Sequence, residues 1–155
     1  MVGRQGERDY MLSFNLTGSF DPQLLSITLS RYYVMINTLL YNIRGVSKAS
    51  NLRRLKKIIR LHGVQFVAIS EPKLDVSQVK YICMKLSFDY AIVNISEDLW
   101  IFYSCSLICS VIGNSNQHIS LSIQHPWLPG PLILSFCPCY VFGRGTAGFM
   151  AKFII

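Results

Sequence analysis

An amide and a carboxylate stand at the ends of two apolar segments of this sequence, with a basic segment between them. Asn42 follows the apolar run from Val34 to Tyr41, and Glu71 follows the run from Val64 to Ile69. If these runs form neighbouring parallel strands, their C-terminal ends lie at one rim of a sheet. Carboxylate and amide oxygens are ligands for hard divalent cations. The spacing therefore predicts a site for a cation such as magnesium, formed by Asn42 and Glu71.

The segment between the two predicted strands has the pattern of an amphipathic helix that begins near Ser50 and ends at Gly63. Apolar residues recur at spacings of three and four, and basic residues occupy the rest of the surface. The predicted buried face consists of Leu52, Leu55, Ile58, Ile59 and His62. A glycine is the usual residue just after a helix, so Gly63 is expected to end this one. A strand–helix–strand unit of this kind is what a parallel strand pair requires.

A second helix and five further strands are predicted after Glu71. Asp75 or Ser77 is a suitable N-cap residue. The apolar face of the second helix consists of Val79, Ile82, Cys83 and Leu86. The further strands are predicted at residues 90–94, 99–103, 107–112, 118–123 and 132–137. Turn residues separate the last of these strands, which indicates antiparallel hairpins.

This order of elements predicts an α+β fold in which a mixed sheet carries two helices on one face. A length of 155 residues and an apolar content of 51% fit one domain with a substantial core. A nucleotide-binding Rossmann unit also begins with strand, helix and strand. The turn at residues 42–45, however, lacks the glycines that allow a backbone to approach a pyrophosphate.

The charge of the chain is +7 and favours anionic partners, nucleic acid before membrane. No acidic residue occurs between Pro22 and Ser70, whereas eight basic residues do. DNA is therefore a possible partner, and the candidate contacts are Arg44, Arg53, Arg54, Lys56, Lys57 and Lys73. The alternative interpretation is that the basic residues are simply the solvated face of a surface helix.

The sequence predicts neither a transmembrane helix nor a signal peptide. The uncharged stretch from Leu99 to Ile112 is 14 residues long, and a spanning helix needs about 20. The N-terminal segment mixes both charges before a broken apolar stretch, unlike a secretory signal. We therefore expect a cytoplasmic or nuclear location. The five cysteines include no C-x-x-C pair and are expected to be reduced thiols.

Four short motifs occur in an order that resembles a known superfamily. They are Asn42-Ile43-Arg44-Gly45, Glu71-Pro72-Lys73, Asp98-Leu99-Trp100-Ile101-Phe102 and Gln117-His118. Together they resemble the endonuclease/exonuclease/phosphatase (DNase I-like) superfamily, and most of all the N-terminal part of plant LINE-type (non-LTR) retrotransposon endonuclease domains. The resemblance covers about residues 35 to 136. It implies that Asn42 and Glu71 belong to a magnesium site and that the domain descends from a hydrolase of DNA phosphodiesters.

The sequence also departs from that superfamily. The family domain is about twice as long, and its Gly-Asp-x-Asn and Ser-Asp-His motifs do not occur here. The resemblance therefore predicts a truncated remnant, inactive alone, with no assignable catalytic residue; whether the chain is an enzyme is left open. The alternative function is a non-catalytic basic module that binds nucleic acid.

The same departures predict a partial DNase I-like sandwich whose second sheet is largely missing. The expected organisation is a loose leader over residues 1–32, the partial domain over 33–137 and a divergent tail over 138–155. A missing second sheet leaves one sheet face uncovered, and exposed apolar faces promote association. We therefore expect self-association through that face.

Overall fold

A computed structural model of the protein describes residues 23–29, 34–42, 48–126, 128, 130–140 and 147–154. The described strands are β1 (Gln23–Leu29), β2 (Val34–Asn42), β3 (Phe66–Ser70), β4 (Tyr90–Val93), β5 (Leu99–Tyr103), β6 (Ile108–Asn114), β7 (Ile119–Gln124), β8 (Leu132–Tyr140) and β9 (Ala147–Ile154). The helices are α1 (Ala49–Leu61), a short 3-10 helix (Val76–Gln78) and α2 (Val79–Leu86). Among the described residues, no helix is both long and apolar enough to cross a membrane.

The first sheet has five strands in the order β1-β2-β3-β5-β4. The neighbours β2 and β3 are parallel, and the other pairs are antiparallel. In the parallel pair, Thr38 lies beside Phe66 and Asn42 lies beside Ser70. The predicted mixed sheet, with two parallel strands joined through α1, is confirmed.

The first helix packs on the sheet through the predicted apolar face. Leu55 and Ile59 are buried, and the helix is followed by Gly63, whose φ of 54° is readily adopted only by glycine. The prediction for His62 is wrong, because this side chain is exposed. The helix ends at Leu61, which makes His62 the C-cap residue, and its carbonyl oxygen accepts a hydrogen bond of 2.8 Å from Asn37 Nδ2.

The second helix buries the four residues that its spacing predicts, Val79, Ile82, Cys83 and Leu86. Its N-terminal cap differs in detail, because Asp75 caps the short 3-10 helix that precedes α2. The core between the helices and the first sheet includes Leu39, Val67, Trp100 and Phe102 from the strands. Both helices therefore cover the same face of this sheet, as predicted.

The prediction that the second sheet is largely missing is wrong. Strands β6-β7-β8-β9 form a four-stranded antiparallel sheet on the other face of the first sheet. The core between the sheets includes Phe66, Ala68 and Ile101 from the first sheet, and Ile119, Leu121, Ile123, Leu132, Leu134 and Phe136 from the second. Apolar residues alternate with more exposed ones along β7, so one side of this strand is buried against the first sheet.

Two strands lie in segments for which no strand was predicted. Residues 23–29, assigned to a loose leader, form β1, which pairs along its whole length with β2. Residues 147–154, assigned to a divergent tail, form β9, which pairs with β8. Both strands add to an existing sheet through backbone hydrogen bonds, which need no distinctive side-chain pattern. The boundaries of the domain itself stay a prediction.

The apolar surface expected on the first sheet is covered by the second sheet. Exposed apolar side chains occur instead on β6, at the edge of the second sheet, where Ile108 is 62% exposed and Val111 and Ile112 are also exposed. An exposed apolar edge strand is a common site of association. Self-association therefore stays a prediction, with β6 as the surface that favours it.

Substitution of Phe66 tests the packing between the two sheets. Phe66 is fully buried in β3, and its ring centroid lies 6.4 Å from that of Phe136 in β8. We expect Phe66→Ala to lower the free energy of unfolding by about 3–5 kcal/mol, because it removes a large side chain from a closed core. Urea unfolding measures the change. Leu61→Ala is the control, since Leu61 is 73% exposed; equal effects of the two substitutions would contradict the described packing.

Candidate functional site

The parallel pair brings Asn42 and Glu71 to the same rim of the first sheet. Asn42 is the last residue of β2 and pairs with Ser70, the last residue of β3. Glu71 follows Ser70 directly and is partly exposed. The neighbouring strand ends that the sequence predicts are therefore present, while the role of the two residues as ligands stays a prediction.

The backbone at Glu71 has an unusual conformation. Its φ is 51°, and Lys73 has a φ of 50°, both in the left-handed region that residues other than glycine rarely adopt. The Glu71 N–H donates a 2.9 Å hydrogen bond to the carbonyl oxygen of Asp98. Pro72, which lies between Glu71 and Lys73, is buried. These contacts hold the chain in a turn that it would not adopt by local preference.

The Glu71 carboxylate has no partner within the part of the chain that the structure describes. An ion pair with Lys73 is the simplest alternative use of this side chain, but no such pair forms among the described residues, and Lys73 is exposed. Across the same described residues, no three His, Cys, Asp or Glu side chains cluster as metal ligands.

The loop after Lys73 is fixed by a cap at Asp75. The Asp75 Oδ1 atom accepts a 2.8 Å hydrogen bond from the Ser77 N–H. Hydrogen bonds from the Ser77 side chain and backbone lower the pKa of Asp75 below its ordinary value. The ionised carboxylate is the form that caps the short helix. Its contribution to stability is therefore present at neutral pH and is lost as the pH falls through this lowered pKa.

A buried asparagine joins the two sheets beside Glu71. Asn94, only 3% exposed, accepts a 2.9 Å hydrogen bond from the Leu99 N–H. Its Nδ2 atom donates to Asp98 Oδ1 at 2.8 Å and to the Asn116 carbonyl oxygen at 3.0 Å. The Ser96 Oγ atom lies within hydrogen-bonding distance of the same two acceptors. The β4–β5 turn of the first sheet is thus attached to the β6–β7 turn of the second.

The Gln117-His118 motif lies in the β6–β7 turn. His118 is exposed, and its Nδ1 atom is 2.7 Å from Ser115 Oγ, which also accepts the backbone N–H groups of Gln117 and His118. Since Asn116 bonds to Asn94, this turn lies at the same end of the sandwich as Glu71. The local hydrogen bonds account for the histidine as a turn residue.

The basic residues proposed to contact nucleic acid lie mainly on α1. Arg53, Arg54 and Lys57 are exposed and Lys56 is partly exposed, while Lys73 is exposed in the loop after β3. The sequence of α1 contains no acidic residue. Arg44 lies outside the described residues. The helix therefore presents several exposed basic side chains and no acidic residue of its own.

Two features of this rim were missed from sequence. Asn94 and Ser96 belong to an Asn-x-Ser-x-Asp turn whose composition indicates a turn but not its attachment to a residue 22 positions away. From the sequence, no role was predicted for Ser70. It is the only polar residue in the otherwise apolar strand Phe66–Ser70, and that contrast is the signal which could have singled it out.

No protein-family model matches this sequence, and no curated protein matches it. The suggested kinship therefore depends on the four short motifs together with the arrangement of the strand ends. It remains a proposal.

Asn94 is expected to hold this rim together. Asn94→Ala removes the acceptor of the buried Leu99 N–H and the donor to Asn116, and leaving buried polar groups unpaired costs about 1–3 kcal/mol. We expect a matching loss of unfolding free energy and faster hydrogen exchange at the Leu99 amide. Asn116→Ala is the control, because Asn116 takes part through its carbonyl oxygen, which alanine keeps. A larger loss in Asn116→Ala than in Asn94→Ala would contradict the assigned bonds.

Proposed function

We propose that this chain derives from a magnesium-dependent DNA endonuclease of the DNase I-like type and keeps its cation-binding corner at Asn42 and Glu71. The observation that carries the proposal is the register of the parallel pair, in which Asn42 lies beside Ser70 and Glu71 follows at once. Two residues that are distant in sequence, Asn42 and Glu71, thereby follow from neighbouring strands at one rim.

The layer arrangement supports the proposed descent. Helices cover one face of the mixed sheet, and a second sheet covers the other. A sandwich of two sheets with helices outside is the architecture of the superfamily that the motifs resemble. The finer DNase I-like assignment is part of this proposal.

The two side chains supply oxygen atoms suited to a hard cation. Magnesium in proteins is typically held by one or two carboxylates, keeps several water molecules and completes its shell with substrate phosphate. Glu71 would provide the carboxylate and Asn42 the amide oxygen. When bound, such a cation neutralises charge on a phosphodiester. With a single carboxylate, affinity in the absence of phosphate is expected to be weak.

The chain is proposed to lack turnover by itself. The Gly-Asp-x-Asn and Ser-Asp-His motifs, which supply water-orienting and basic groups in the superfamily, are absent from these 155 residues. His118, the histidine in the resembling motif, is bonded within its own turn to Ser115. Loss of a general base commonly lowers a rate by about 10²- to 10⁴-fold.

A second candidate function is binding of nucleic acid without catalysis. The observation that favours it is the positive surface of α1, where Arg53, Arg54 and Lys57 are exposed and no acidic residue is present in the helix. Contacts from lysine and arginine to phosphates give affinity that does not depend on sequence. This function does not require Glu71, so the two candidates can be separated.

Cation binding is tested with Tb³⁺, an oxygen-seeking probe whose luminescence can be followed during titration and during displacement by Mg²⁺. We expect weak binding by the natural chain and loss of binding in Glu71→Gln, because the only proposed carboxylate ligand is removed. Glu97→Gln is the matched control: Glu97 is an exposed carboxylate in the adjoining β4–β5 turn, and the change of charge is the same. Equal binding by the natural chain and Glu71→Gln would refute the cation site.

Nicking of supercoiled plasmid in the presence of Mg²⁺ tests the absence of turnover. We expect no nicking above the background of the buffer, because the motifs that carry the base are absent. Robust nicking that Glu71→Gln abolishes would contradict this expectation, while it would support the cation site.

Retention on DNA at several salt concentrations tests the second candidate. If α1 contacts phosphates, Lys56→Gln/Lys57→Gln should weaken retention and reduce the slope of log K against log salt by about two, at roughly 0.9 for each lost contact. The matched control is Lys80→Gln/Lys85→Gln, which removes two positive charges from α2. No retention of the natural chain at low salt would exclude this function, and equal effects of the two pairs would leave only a net-charge effect.

A further inference from the structure

The last residue of β3 is a buried serine at the edge of an apolar core. All five residues of Phe66–Ser70 are buried, and Ser70 is 1% exposed. Phe66 and Ala68 belong to the core between the two sheets, so alternation along the strand assigns Ser70 to the same side. Its neighbour across the antiparallel pair, Leu99, also belongs to that core.

The hydroxyl group of Ser70 is left without a partner. Its Oγ atom is buried and finds no hydrogen bond among the described residues. A buried hydroxyl that has lost its water without gaining a partner destabilises the fold. Such a group in a native protein requires an explanation, and a bound water molecule or ion is one of those that apply. An alanine would fill almost the same space without that penalty.

The position of the hydroxyl connects it to the proposed cation corner. Ser70 lies beside Asn42 in the parallel register and directly before Glu71 in the chain. Three other buried polar atoms without partners, Asn37 Oδ1, Thr38 Oγ1 and Gln65 Oε1, lie at the opposite end of the parallel pair, where β3 begins. Ser70 is therefore the one of these groups that adjoins the rim of Glu71.

We propose that the Ser70 hydroxyl is a positioning group for the hydrated cation, and that it accepts a hydrogen bond from a water molecule in the inner shell of that cation. This inference rests on the proposed cation site. A magnesium ion keeps several of its water molecules, and these polarised waters are strong donors. Ser70 is not itself a ligand; it orients the shell that Glu71 and Asn42 hold. The orphaned hydroxyl is thereby satisfied when the cation is bound and unsatisfied when it is absent.

The test compares the same substitution with and without cation. In Ser70→Ala, we expect the unfolding free energy without cation to be equal to or higher than that of the natural chain, because a buried unpaired hydroxyl is removed. We expect the dissociation constant for Tb³⁺ to rise about three- to tenfold, the usual effect of losing one hydrogen bond. The dissociation constant for Mg²⁺, derived from its displacement of Tb³⁺, should rise by a similar factor. If the hydroxyl had a purely structural role, its removal in Ser70→Ala would lower the unfolding free energy without cation.

Thr38→Val is the matched control, because it removes another buried unpaired hydroxyl from the same parallel pair at its opposite end. It should be as well tolerated without cation as Ser70→Ala and leave Tb³⁺ affinity unchanged. Unchanged affinity in Ser70→Ala, with binding abolished in Glu71→Gln, would overturn the role of Ser70 alone. Unchanged affinity in Glu71→Gln would overturn the cation site itself. Destabilisation of Ser70→Ala without cation would also overturn the inference, because the hydroxyl would then have a partner in the fold.

Discussion

The parallel pairing of β2 with β3 is the constraint on which the rest of the described structure depends. Parallel neighbours cannot be joined by a tight turn, so α1 must cross over one face of the sheet and pack there through Leu55 and Ile59. The second sheet covers the opposite face. Because β3 is buried on both sides, its register is fixed by two cores at once: Phe66 and Ala68 face the second sheet, and Val67 and Ile69 face the helices.

This double burial also defines the rim. A shift of one residue along β3 would exchange the two faces and expose the wrong set of side chains to each core. The register that satisfies both cores assigns Ser70 to the interior and leaves Glu71 as the first residue beyond the strand. The bonds of Asn94 then fasten the turn of the second sheet beside it. The packing of both faces of β3 thus determines that Ser70 and Glu71 are the residues at the rim.

The strands and helices were largely predictable because their signals are local. The buried face of α2 and the strand at residues 99–103 were foreseen from spacing and composition. The second sheet as a complete layer was not, since alternation along β7 shows that one side is buried but not what covers it. His62 was placed wrongly because the helix ends one residue earlier than the apolar spacing suggests.

For the candidate site, the sequence pattern predicted that Asn42 and Glu71 lie at the ends of two parallel strands and share one rim of the sheet. It could not give the attachment of Asn94 to Asn116, which joins turns of two different sheets, nor the missing partner of Ser70. Both depend on tertiary contacts. Sequence motifs therefore indicated where the strands end. Only the packed structure showed that Asn94 links the two sheets and that the Ser70 hydroxyl has no partner among the described residues.

The left-handed backbone at Glu71 has a consequence for the kinds of residue this position tolerates. Glycine adopts such a φ without steric conflict, and asparagine does so more easily than most residues, whereas a glutamate is disfavoured there by about 1–2 kcal/mol. Local conformational energy and negative charge thus select different amino acids at the same place. If selection did not require an acid at this turn, mutations in related sequences should replace the glutamate with a smaller residue. Retention of the glutamate would therefore indicate selection for its carboxylate.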